Sequence, residues 1–421
     1  MGKGGYLIRY TERNVVVTGA GIIAPNGLNK QEFWNSLLKG VSGISEITSF
    51  DTSNHSTKIA GEIKNFDAAA IYGKNEARRT PRFAQLAVYA AREAINDAAI
   101  SIDGDDKFTT GIVVGVSINA LEIIEEQVMV MKEKGAHRMS PFTVTGALPN
   151  AAAGMLAVAL GIKGRAATIS TGCSSSLNAI GHAYELIKYG KLDRVLCGGA
   201  EAPITASIMG AFCATRSLSQ RNGDPAAASR PFDKNRDGYI LSEGSAMLVL
   251  EEKEAAIKRG AKIYAEVLGY GSTSEAISMY KMDDTGDEAA RVMMEAVRDA
   301  EISHDQIDYI SAHGSSSLVS DIRETRAIKK VFGSHADKLK ISSVKSMLGH
   351  PLGVSGGFQT VATLLAGYNG YIPPTINYTD ADPECDLDYV PNESIRKKIS
   401  TAMVNSFGLG GNNSSMVFRM F

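Results

Sequence analysis

The chain has 421 residues, of which 44% are hydrophobic and 21% are charged, and its formal net charge is −2. This composition is ordinary for a globular protein and supplies enough apolar residues for a large core. Because the charge balance is nearly neutral, neither nucleic acid nor an anionic membrane is expected as a partner, and an acidic partner would need a local basic patch.

Cysteine usage and the apolar stretches predict a cytoplasmic protein. The spacing of the four cysteines fits neither a metal site nor a disulfide framework for so long a chain. Residues 1–6 lack the apolar core of a signal sequence, and the apolar stretch 151–162 is too short to span a bilayer. We therefore expect a location in the reducing cytoplasm, no membrane association and no bound metal.

Short runs of β-branched residues alternate with helical patterns along the chain. In the first half, strands are predicted over residues 14–18, 110–114, 167–170, 193–197 and 245–250. In the second half, they are predicted over residues 263–269, 308–311, 340–343 and 416–418. This alternation predicts an α/β fold with buried strands.

The second half repeats the plan of the first. A strand leads into Cys173 and a helix in the first half, and a strand leads into the segment 345–350 and a glycine-rich helix in the second. The join falls near residues 258–262, which predicts two related domains, residues 1–260 and residues 261–421. Two such halves packed back to back would bring both sets of strand ends to one central site.

Cys173 is the candidate nucleophile. Apolar residues recur at helical spacing after it, at Leu177, Ile180, Tyr184 and Ile187. At a helix N-terminus, unpaired N–H groups and the helix dipole are expected to lower the pKa of a thiol. A small buried core residue is the structural alternative. Three cysteines do not lie at the start of a helix, and we interpret them as core residues: Cys197, Cys213 and Cys385.

Two histidines differ from the others because they follow strands and adjoin glycine. His313 lies in the block Ala-His-Gly, and His350 ends the block Lys-Ser-Met-Leu-Gly-His that begins at Lys345. Imidazole donors beside an acylated cysteine can stabilise negative charge on a carbonyl oxygen, which predicts an acyl transferase that forms carbon–carbon bonds. Lys345 can neutralise a carboxylate or tune an imidazole. The remaining histidines are predicted to be structural or at the surface: His55, His137, His182, His304 and His335.

One glycine motif bears on nucleotide binding, and another bears on movement of a loop at a site. Residues 19–24, Gly-Ala-Gly-Ile-Ile-Ala, resemble a dinucleotide fingerprint, but Pro25 breaks the helix that this motif requires. We therefore expect no nicotinamide or other cofactor. Phe407 begins the glycine-rich segment 407–411 and is predicted to gate a site. A tight connection between strands is the alternative interpretation.

The densest basic run consists of Lys74, Arg78, Arg79 and Arg82. Pro81 suits the first position of a helix, which would place Arg82 in the first turn. A solvated surface is the ordinary interpretation of such a run, and docking of an acidic partner is the functional one. Arg216 is a second candidate for docking.

These blocks together resemble the β-ketoacyl-acyl carrier protein synthases, specifically the elongating ketoacyl synthase II type and its polyketide ketosynthase relatives. Beyond the cysteine and histidine blocks, the likeness depends on ordered motifs at residues 16–21, 198–201, 229–233, 237–238, 386–391 and 405–413. It covers nearly the whole chain. The resemblance implies a thiolase-like fold, which is a five-layer αβαβα sandwich built from two related halves, and a dimer of like or homologous chains.

The resemblance also implies roles by position. Cys173 is similar to the acyl-accepting nucleophile, and His313 and His350 are similar to the pair that drives malonyl decarboxylation. Lys345 is similar to the lysine that supports this pair. Phe407 is similar to the gate, and its backbone N–H and that of Cys173 are similar to the oxyanion hole. Asp321 and Glu324 are similar to acidic residues that brace the lysine and the His313 loop, and Ser315 and Ser317 are similar to residues that bind pantetheine. Ile118 is similar to a residue that lines the acyl pocket. The segment with Arg78, Arg79 and Arg82 is similar to the carrier-docking region.

Four positions carry residues that are unusual in fatty-acid enzymes: Gly172, Ser320, Gln359 and Leu409. Residues 171–173, Thr-Gly-Cys, are similar to ketosynthase subunits of aromatic type II polyketide systems. The preferred hypothesis is therefore a type II polyketide ketosynthase that condenses an acyl-S-enzyme with malonyl-acyl carrier protein. The alternative is a fatty-acid-elongating synthase. A CoA-dependent thiolase fits less well because the C-terminal segment has no second cysteine, and a non-catalytic chain-length subunit would lack Cys173.

The resemblance implies partners as well. An acyl carrier protein would deliver both substrates on its phosphopantetheine arm. The chain would form a homodimer, or a heterodimer with a homologous chain-length-factor subunit. Decarboxylation would drive the reaction without a cofactor.

Overall fold

The computed structural model describes residues 12–421, and the segment expected to lack a signal sequence lies outside this part. The strands are β1 Val15–Ile23, β2 Ser45–Glu46, β3 Ile59–Ala60, β4 Thr110–Gly115, β5 Ala166–Ile169, β6 Arg194–Glu201, β7 Gly244–Glu252, β8 Ala265–Ser274, β9 Tyr309–Ser311, β10 Lys340–Ser342, β11 Tyr371–Ile372, β12 Ile395–Arg396, β13 Thr401–Phe407 and β14 Asn412–Met420. The helices are α1 Lys30–Leu38, α2 Ala68–Tyr72, α3 Lys74–Arg79, α4 Arg82–Asp97, α5 Asp106–Thr109, α6 Leu121–Lys134, α7 Thr143–Ala147, α8 Ala151–Leu160, α9 Ser175–Lys188, α10 Ala206–Ala214, α11 Lys253–Lys258, α12 Asp287–Asp299, α13 Ser320–Phe332, α14 Lys345–Leu348 and α15 Ser355–Asn369. None of these helices is long and apolar enough to cross a bilayer.

Ten strands form one mixed sheet, in the order β10-β9-β13-β14-β8-β1-β7-β6-β4-β5. The order β1-β7-β6-β4-β5 in the first half is repeated as β8-β14-β13-β9-β10 in the second. In each half, three parallel strands lie at the outer end and two antiparallel strands lie at the inner end. The halves meet where β1 pairs antiparallel with β8 over residues 15–17. The strand order therefore shows the duplication that the sequence predicts, while the division into residues 1–260 and 261–421 stays a prediction.

Helices form the remaining layers of the sandwich. Apolar residues of α9 and α15 share one core with strands of both halves, so these two helices form the central layer. α4 and α8 cover the outer face of the first half. α12 and α13 cover the outer face of the second half. The architecture is the five-layer αβαβα sandwich of two related halves that was expected.

The glycine motif in β1 brings α4 close to the sheet. A Cβ atom on Gly19 would lie 2.2 Å from the carbonyl oxygen of Ala94, and one on Gly21 would lie 2.0 Å from that of Ala90. Only glycine allows the helix to approach the strand this closely. Packing of a helix on a strand therefore explains the motif that resembles a dinucleotide fingerprint.

The C-terminal hairpin differs most from the sequence-based expectation. β13 and β14 pair antiparallel from Thr401 to Phe407, and the loop 408–411 connects them. The sequence pattern predicts no strand over residues 401–407, because polar residues and the following glycines conceal it. The structure shows the tight strand connection that was the alternative interpretation, and a gating role of Phe407 stays a prediction.

Candidate active site

The candidate catalytic residues lie beyond the carboxyl ends of parallel strands near the middle of the sandwich. Cys173 lies between β5 and α9, and His313 follows β9. Lys345 begins α14 after β10, and His350 lies in the turn before α15. The imidazole rings of His313 and His350 are 5.4 Å apart between centroids and nearly perpendicular. Each half of the fold thus contributes side chains to one central site.

Cys173 and His350 are in direct contact. Sγ of the cysteine lies 3.2 Å from Nε2 of the histidine, and both side chains are buried. On the opposite side of the ring, Nδ1 of His350 is hydrogen bonded to the Ser355 hydroxyl at 2.9 Å. Burial and the charge of Lys345 hold the pKa of His350 well below its usual range. The ring is therefore neutral and can accept a proton from the thiol.

The helix does not lower the pKa of the thiol in the way that the sequence predicts. Burial raises the pKa of Cys173 to about 11, although the Leu409 N–H and the charge of Lys345 oppose the rise. The first residue of α9 is Ser175, so the thiol lies outside the helix itself. Desolvation of the thiolate therefore outweighs the helix dipole. The expectation of a lowered thiol pKa was wrong, and His350 is the titratable side chain in hydrogen-bond contact with the sulfur.

His313 is held as a hydrogen-bond donor through Nε2. The backbone N–H of Phe407 donates to Nδ1 at 3.2 Å, which leaves the proton of a neutral ring on Nε2. Burial is the main reason that the pKa of His313 lies well below its usual range. In this structure the Phe407 N–H therefore binds the imidazole, so it is not free to act as the oxyanion donor that the resemblance implies.

The Lys345 ammonium group contacts neutral oxygens. Nζ donates to the carbonyl oxygen of His313 at 2.5 Å and to Oε1 of Gln359 at 3.0 Å. Burial lowers the pKa of Lys345 to about 8. The two predicted acidic braces, Asp321 and Glu324, accept hydrogen bonds from backbone N–H groups of the loop after β9, at 2.8 to 3.0 Å. They hold the histidine loop, whereas Gln359 contacts the lysine.

Gln359 is the functional residue for which sequence reasoning found no role. Its Nε2 lies 2.7 to 3.0 Å from the carbonyl oxygens of Ser311, Ala312 and Asn405. The amide therefore links the ends of β9 and β13 to Lys345. These contacts join residues that lie far apart in the chain, so no local pattern could have revealed them.

The predicted pantetheine ligands lie in the loop after His313. Ser315 is buried, and Ser317 is partly exposed. Between them, Ser316 adopts a φ of 69°, and its hydroxyl accepts the Arg230 N–H at 3.1 Å. The loop is therefore fixed through its middle residue. Contact of Ser315 and Ser317 with pantetheine stays a prediction.

Ile118 and Cys173 belong to one apolar cluster. The other members are Ile47, Phe50, Ala60, Ile204, Ile208, Met209, Phe212, Cys213, Leu218, Tyr239, Leu241 and Leu352. The buried carboxylate of Glu201 shapes the wall beside Ile118, because it accepts the N–H groups of Ser117 at 2.9 Å, Ile118 at 3.0 Å and Gly353 at 3.0 Å. Burial raises the pKa of Glu201 to about 7. The cluster offers an apolar surrounding for an acyl chain on the sulfur.

Three arginines form an exposed basic surface. Arg78 and Arg79 end α3, and with Arg138 they line a surface cavity of about 380 Å³. The guanidinium of Arg79 lies 4.9 Å from the centroid of the Phe142 ring. Arg216 is also exposed, directly after α10. These positions are accessible to a partner.

Arg82 is paired within the fold. It begins α4, as the sequence predicts, but Nε and Nη2 lie 2.6 Å and 2.7 Å from the carboxylate of Glu243. Nη2 also donates to the carbonyl oxygen of Ile63 at 3.1 Å. The charge of Arg82 is therefore paired within the fold, and its part in docking stays a prediction.

Two features of the described residues bear on metal and cofactor binding. Among residues 12–421, no group of three or more His, Cys, Asp or Glu side chains is placed to hold a metal ion. The glycine motif of β1 is explained by packing of α4. The expectation that the chain works without a cofactor stays a prediction.

A thiol, two neutral imidazoles and a buried lysine at the centre of this sandwich define an acyl-transferring enzyme of the thiolase-fold class. Two family models match the chain, "Beta-ketoacyl synthase, N-terminal domain" over residues 12–256 and "Beta-ketoacyl synthase, C-terminal domain" over residues 264–379. The chain therefore belongs to the beta-ketoacyl synthase family, and it is an acyltransferase.

Curated relatives match over almost their full length. The 3-oxoacyl-[acyl-carrier-protein] synthase 2 of Synechocystis sp. is 43% identical, and the match covers 97% of this chain and 99% of that protein. The synthase of the same name from Coxiella burnetii is 42% identical with the same coverage. These relatives support the alternative hypothesis, a β-ketoacyl-acyl carrier protein synthase II, better than the preferred polyketide hypothesis.

Solved structures resemble the chain over 97% of its length. A chain of the AntDE:AntF complex, a type II PKS acyl-carrier protein with its ketosynthase bound to the hexaketide, superposes with a TM-score of 0.90 at 35% identity. The ishigamide ketosynthase/chain length factor gives a TM-score of 0.90 at 33% identity. A beta-ketoacyl synthase from Burkholderia phymatum superposes with a TM-score of 0.89 at 32% sequence identity. All of these chains are covered completely, and the first two give the polyketide hypothesis partial support.

Proposed function

We propose that the chain is an elongating 3-oxoacyl-acyl carrier protein synthase, which lengthens an acyl chain by decarboxylative condensation with malonyl-acyl carrier protein. The observation that carries this proposal is the contact of Cys173 Sγ with His350 Nε2 at 3.2 Å, beside a second neutral imidazole. Similarity to synthases of this name at 42–43% identity favours the elongating type over a polyketide ketosynthase.

The first half-reaction transfers the acyl group to the enzyme. His350 takes the thiol proton of Cys173, and the thiolate attacks the thioester carbonyl of the acyl-carrier protein. The carrier's pantetheine thiol leaves with a proton from His350. The oxyanion of the intermediate needs backbone donors, and the Leu409 N–H beside the sulfur and the N–H of Cys173 are suited to this task. The acyl chain would extend into the apolar cluster that Ile118 borders.

The second half-reaction forms the carbon–carbon bond. For this step neutral His350 takes up the tautomer with its ring proton on Nε2, in which Nδ1 accepts from the Ser355 hydroxyl. The Nε2–H groups of His313 and His350 then donate to the thioester carbonyl of malonyl-acyl carrier protein and stabilise the enolate as carbon dioxide leaves. The enolate carbon attacks the carbonyl of acyl-Cys173. The carbon–sulfur bond breaks, and its electron pair returns to the sulfur of Cys173, which takes up one proton from solvent to become the thiol again. The β-ketoacyl group remains on the carrier. Lys345, which hydrogen bonds to the carbonyl oxygen of His313, fixes this histidine and favours the anionic states.

The substrates would arrive on an acidic acyl carrier protein. Arg78, Arg79 and Arg216 are exposed cations suited to its docking. Ser315 and Ser317 in the loop after His313 would contact the pantetheine arm. A structural neighbour contains an acyl-carrier protein in complex with its ketosynthase, which supports this kind of partner.

A second copy of the chain would cover the open edge of the sheet. β5 is the terminal strand on one side, and its residues are half-buried or exposed. Large apolar side chains are exposed on the neighbouring α6–α8 segment: Val128 (45%), Met129 (51%), Val144 (71%) and Val158 (86%). An unpaired strand edge beside apolar surface favours pairing with another chain. A homodimer is the simpler form, and the ketosynthase/chain length factor neighbour makes a heterodimer the alternative.

Product analysis tests the pathway. The purified chain is incubated with malonyl-acyl carrier protein and a saturated acyl-carrier protein, and the carrier-bound products are measured by intact mass. An elongating synthase adds one two-carbon unit and stops at the β-ketoacyl product, whether or not malonyl-carrier is in excess. Repeated extension without reduction would support the polyketide hypothesis instead. If no condensation occurred until a cofactor or a metal ion was added, this result would contradict the expected cofactor-free reaction.

A further inference from the structure

Glu201 is a fully buried carboxylate at the carboxyl end of β6. Its hydrogen-bond partners among the described residues are three backbone N–H groups, those of Ser117, Ile118 and Gly353. Burying a carboxylate is costly without such partners, so these three contacts hold the group in place. The carboxylate and the three segments that it binds therefore form one rigid unit.

The three N–H groups belong to both halves of the fold. Oε2 accepts from Ser117 at 2.9 Å and from Gly353 at 3.0 Å, and Oε1 accepts from Ile118 at 3.0 Å. Residues 117 and 118 follow β4, and Ile118 packs against the apolar cluster that contains Cys173. Gly353 belongs to the turn 350–353, which we call the histidine turn. One carboxylate thus joins the apolar wall at Ile118 to the histidine turn.

The histidine turn contains a strained residue. Leu352 adopts a φ of 41°, in the left-handed region that residues with a Cβ atom disfavour, and its side chain is buried in the same apolar cluster as Cys173. A Cβ atom on the next residue, Gly353, would lie 2.5 Å from Oε2 of Glu201. Strain of this kind persists only where neighbouring contacts enforce it. The carboxylate is such a contact, because it binds the residue that follows the leucine.

The same turn carries the imidazole that contacts the thiol. Nε2 of His350 lies 3.2 Å from Sγ of Cys173. The backbone N–H of His350 donates to the carbonyl oxygen of Ile240 at 2.6 Å, which fixes the start of the turn. Glu201 fixes its end through Gly353. Release of that end would therefore change the distance between the imidazole and the sulfur.

We propose that Glu201 is a positioning residue that fixes the histidine turn against the wall at Ile118 and so holds Nε2 of His350 within reach of the Cys173 thiol. The proposal rests on the proposed function in one respect, the removal of the thiol proton by His350. Glu201 touches no reacting atom. Its loss should slow the steps that need His350, while the sulfur itself stays reactive.

Hydrogen exchange of the free protein tests the contacts. It is measured at pH 8, above the pKa of Glu201 of about 7, so that the carboxyl group is ionised. In Glu201→Gln, one carboxylate oxygen becomes an NH₂ group, and at least one backbone N–H loses its acceptor. Peptides covering residues 116–119 and 350–355 should both exchange about 10- to 100-fold faster, as the loss of a hydrogen bond to a charged group implies.

Glu93 on α4 supplies a matched control. Its carboxylate also joins two segments through backbone N–H groups, those of Ile22 at 2.8 Å and Lys30 at 2.8 Å. Glu93→Gln should leave exchange in residues 116–119 and 350–355 unchanged. Wild-type exchange of these two peptides in Glu201→Gln would overturn the proposal. Equal acceleration over the whole chain would also overturn it.

Two reactions of the same sulfur separate positioning from damage. Single-turnover acyl loading of Cys173 needs His350 and should slow about 10- to 100-fold in Glu201→Gln. Burial is the main cause of the raised pKa of Cys173, and the charge of Glu201 adds to it, so alkylation by iodoacetamide should not slow. Glu93→Gln should retain both rates. Loading at the wild-type rate in Glu201→Gln, or equal slowing of both reactions, would contradict the positioning role.

A double-mutant cycle shows whether Glu201 acts through His350. In a His350→Ala background, Glu201→Gln should slow loading less than threefold further, because the imidazole that it positions is already absent. A larger further loss would mean that Glu201 acts elsewhere and would overturn the proposal.

Gly353→Ala tests the same contact from the other side and serves if Glu201→Gln does not fold. This variant keeps the carboxylate and crowds it, so loading should slow, and an unchanged loading rate would contradict the proposal. Exchange and alkylation need no carrier substrate. A chain that condensed nothing would therefore refute the proposed function and leave these two tests intact.

Discussion

The backbone N–H of Phe407 donates to Nδ1 of His313 at 3.2 Å, so the candidate gate and a candidate catalytic histidine form one hydrogen-bonded unit. The phenyl ring packs against the imidazole, with centroids 5.6 Å apart. While Phe407 is inward, the proton of the neutral ring stays on Nε2, where a substrate carbonyl can accept it. Outward movement of Phe407 would remove the donor that fixes this tautomer. The position of the Phe407 backbone and the tautomer of His313 are therefore linked.

Cys173→Ala should abolish acyl transfer, because no other thiol lies against the two imidazoles. Decarboxylation of malonyl-acyl carrier protein should persist, since His313 and His350 remain. Peptide mass spectrometry after exposure to acyl-carrier protein measures the modified residue. Cys385→Ala, which removes a cysteine from the core on the outer face of the second half, is the control and should load normally. Acylation of Cys197 or Cys213 in the wild-type chain would refute the assignment.

His313→Ala and His350→Ala should each slow decarboxylation by about 10²–10³-fold, because removing one oxyanion donor typically costs that much. Condensation should fall in parallel in both variants. Acyl loading should suffer less in His313→Ala than in His350→Ala, because only His350 contacts the sulfur. Single-turnover loading and release of carbon dioxide separate the steps. Decarboxylation at the wild-type rate would make the altered histidine structural.

The pH dependence of the alkylation rate of Cys173 should reveal the raised pKa of its thiol. A raised pKa means that the thiol keeps its proton at neutral pH and loses it only as the pH approaches about 11. Alkylation of Cys173 by iodoacetamide in the free enzyme should therefore keep rising with pH beyond pH 9, where an ordinary thiol levels off. The rate is followed by mass spectrometry, with Cys173→Ala as the blank. A plateau below neutral pH would show instead that the helix dipole outweighs burial.

Much of the fold could be predicted because its signals are local. β-branched runs mark the buried strands, and the repeated strand–site–helix plan indicates the two halves. Cys173, His313 and His350 stand out because each follows a strand beside small residues. β13 was missed because its carboxyl-terminal end is polar and runs into glycines.

The parts of the candidate site that could not be predicted depend on contacts between segments that lie apart in the sequence. Glu243 pairs with Arg82 from 161 positions away, and the pattern of the basic run does not reveal this partner. Gln359 on α15 accepts from Lys345 at the start of α14, a contact that the sequence pattern does not reveal. The rise in the pKa of Cys173 comes from burial, which no spacing of residues along the chain encodes.

Docking of the carrier protein should depend on Arg78 and Arg79. Both are exposed at the end of α3, whereas Arg82 is held by Glu243. Arg78→Glu/Arg79→Glu should raise the apparent KM for acyl-carrier protein with little change in kcat. The KM of the wild-type enzyme should also rise with added salt, because exposed charges are screened.

The same double reversal should leave activity toward a short pantetheine thioester nearly unchanged, since that substrate needs no docking surface. Arg396→Glu/Lys398→Glu makes the same change in net charge at exposed residues of the second half and is the matched control. It should alter the KM for acyl-carrier protein much less. Arg82→Glu is expected to behave differently, because it would place two carboxylates together beside α4 and lower the free energy of unfolding. Equal losses with the carrier and with the small thioester in Arg78→Glu/Arg79→Glu would mean that the fold was damaged and would remove the support for docking at α3.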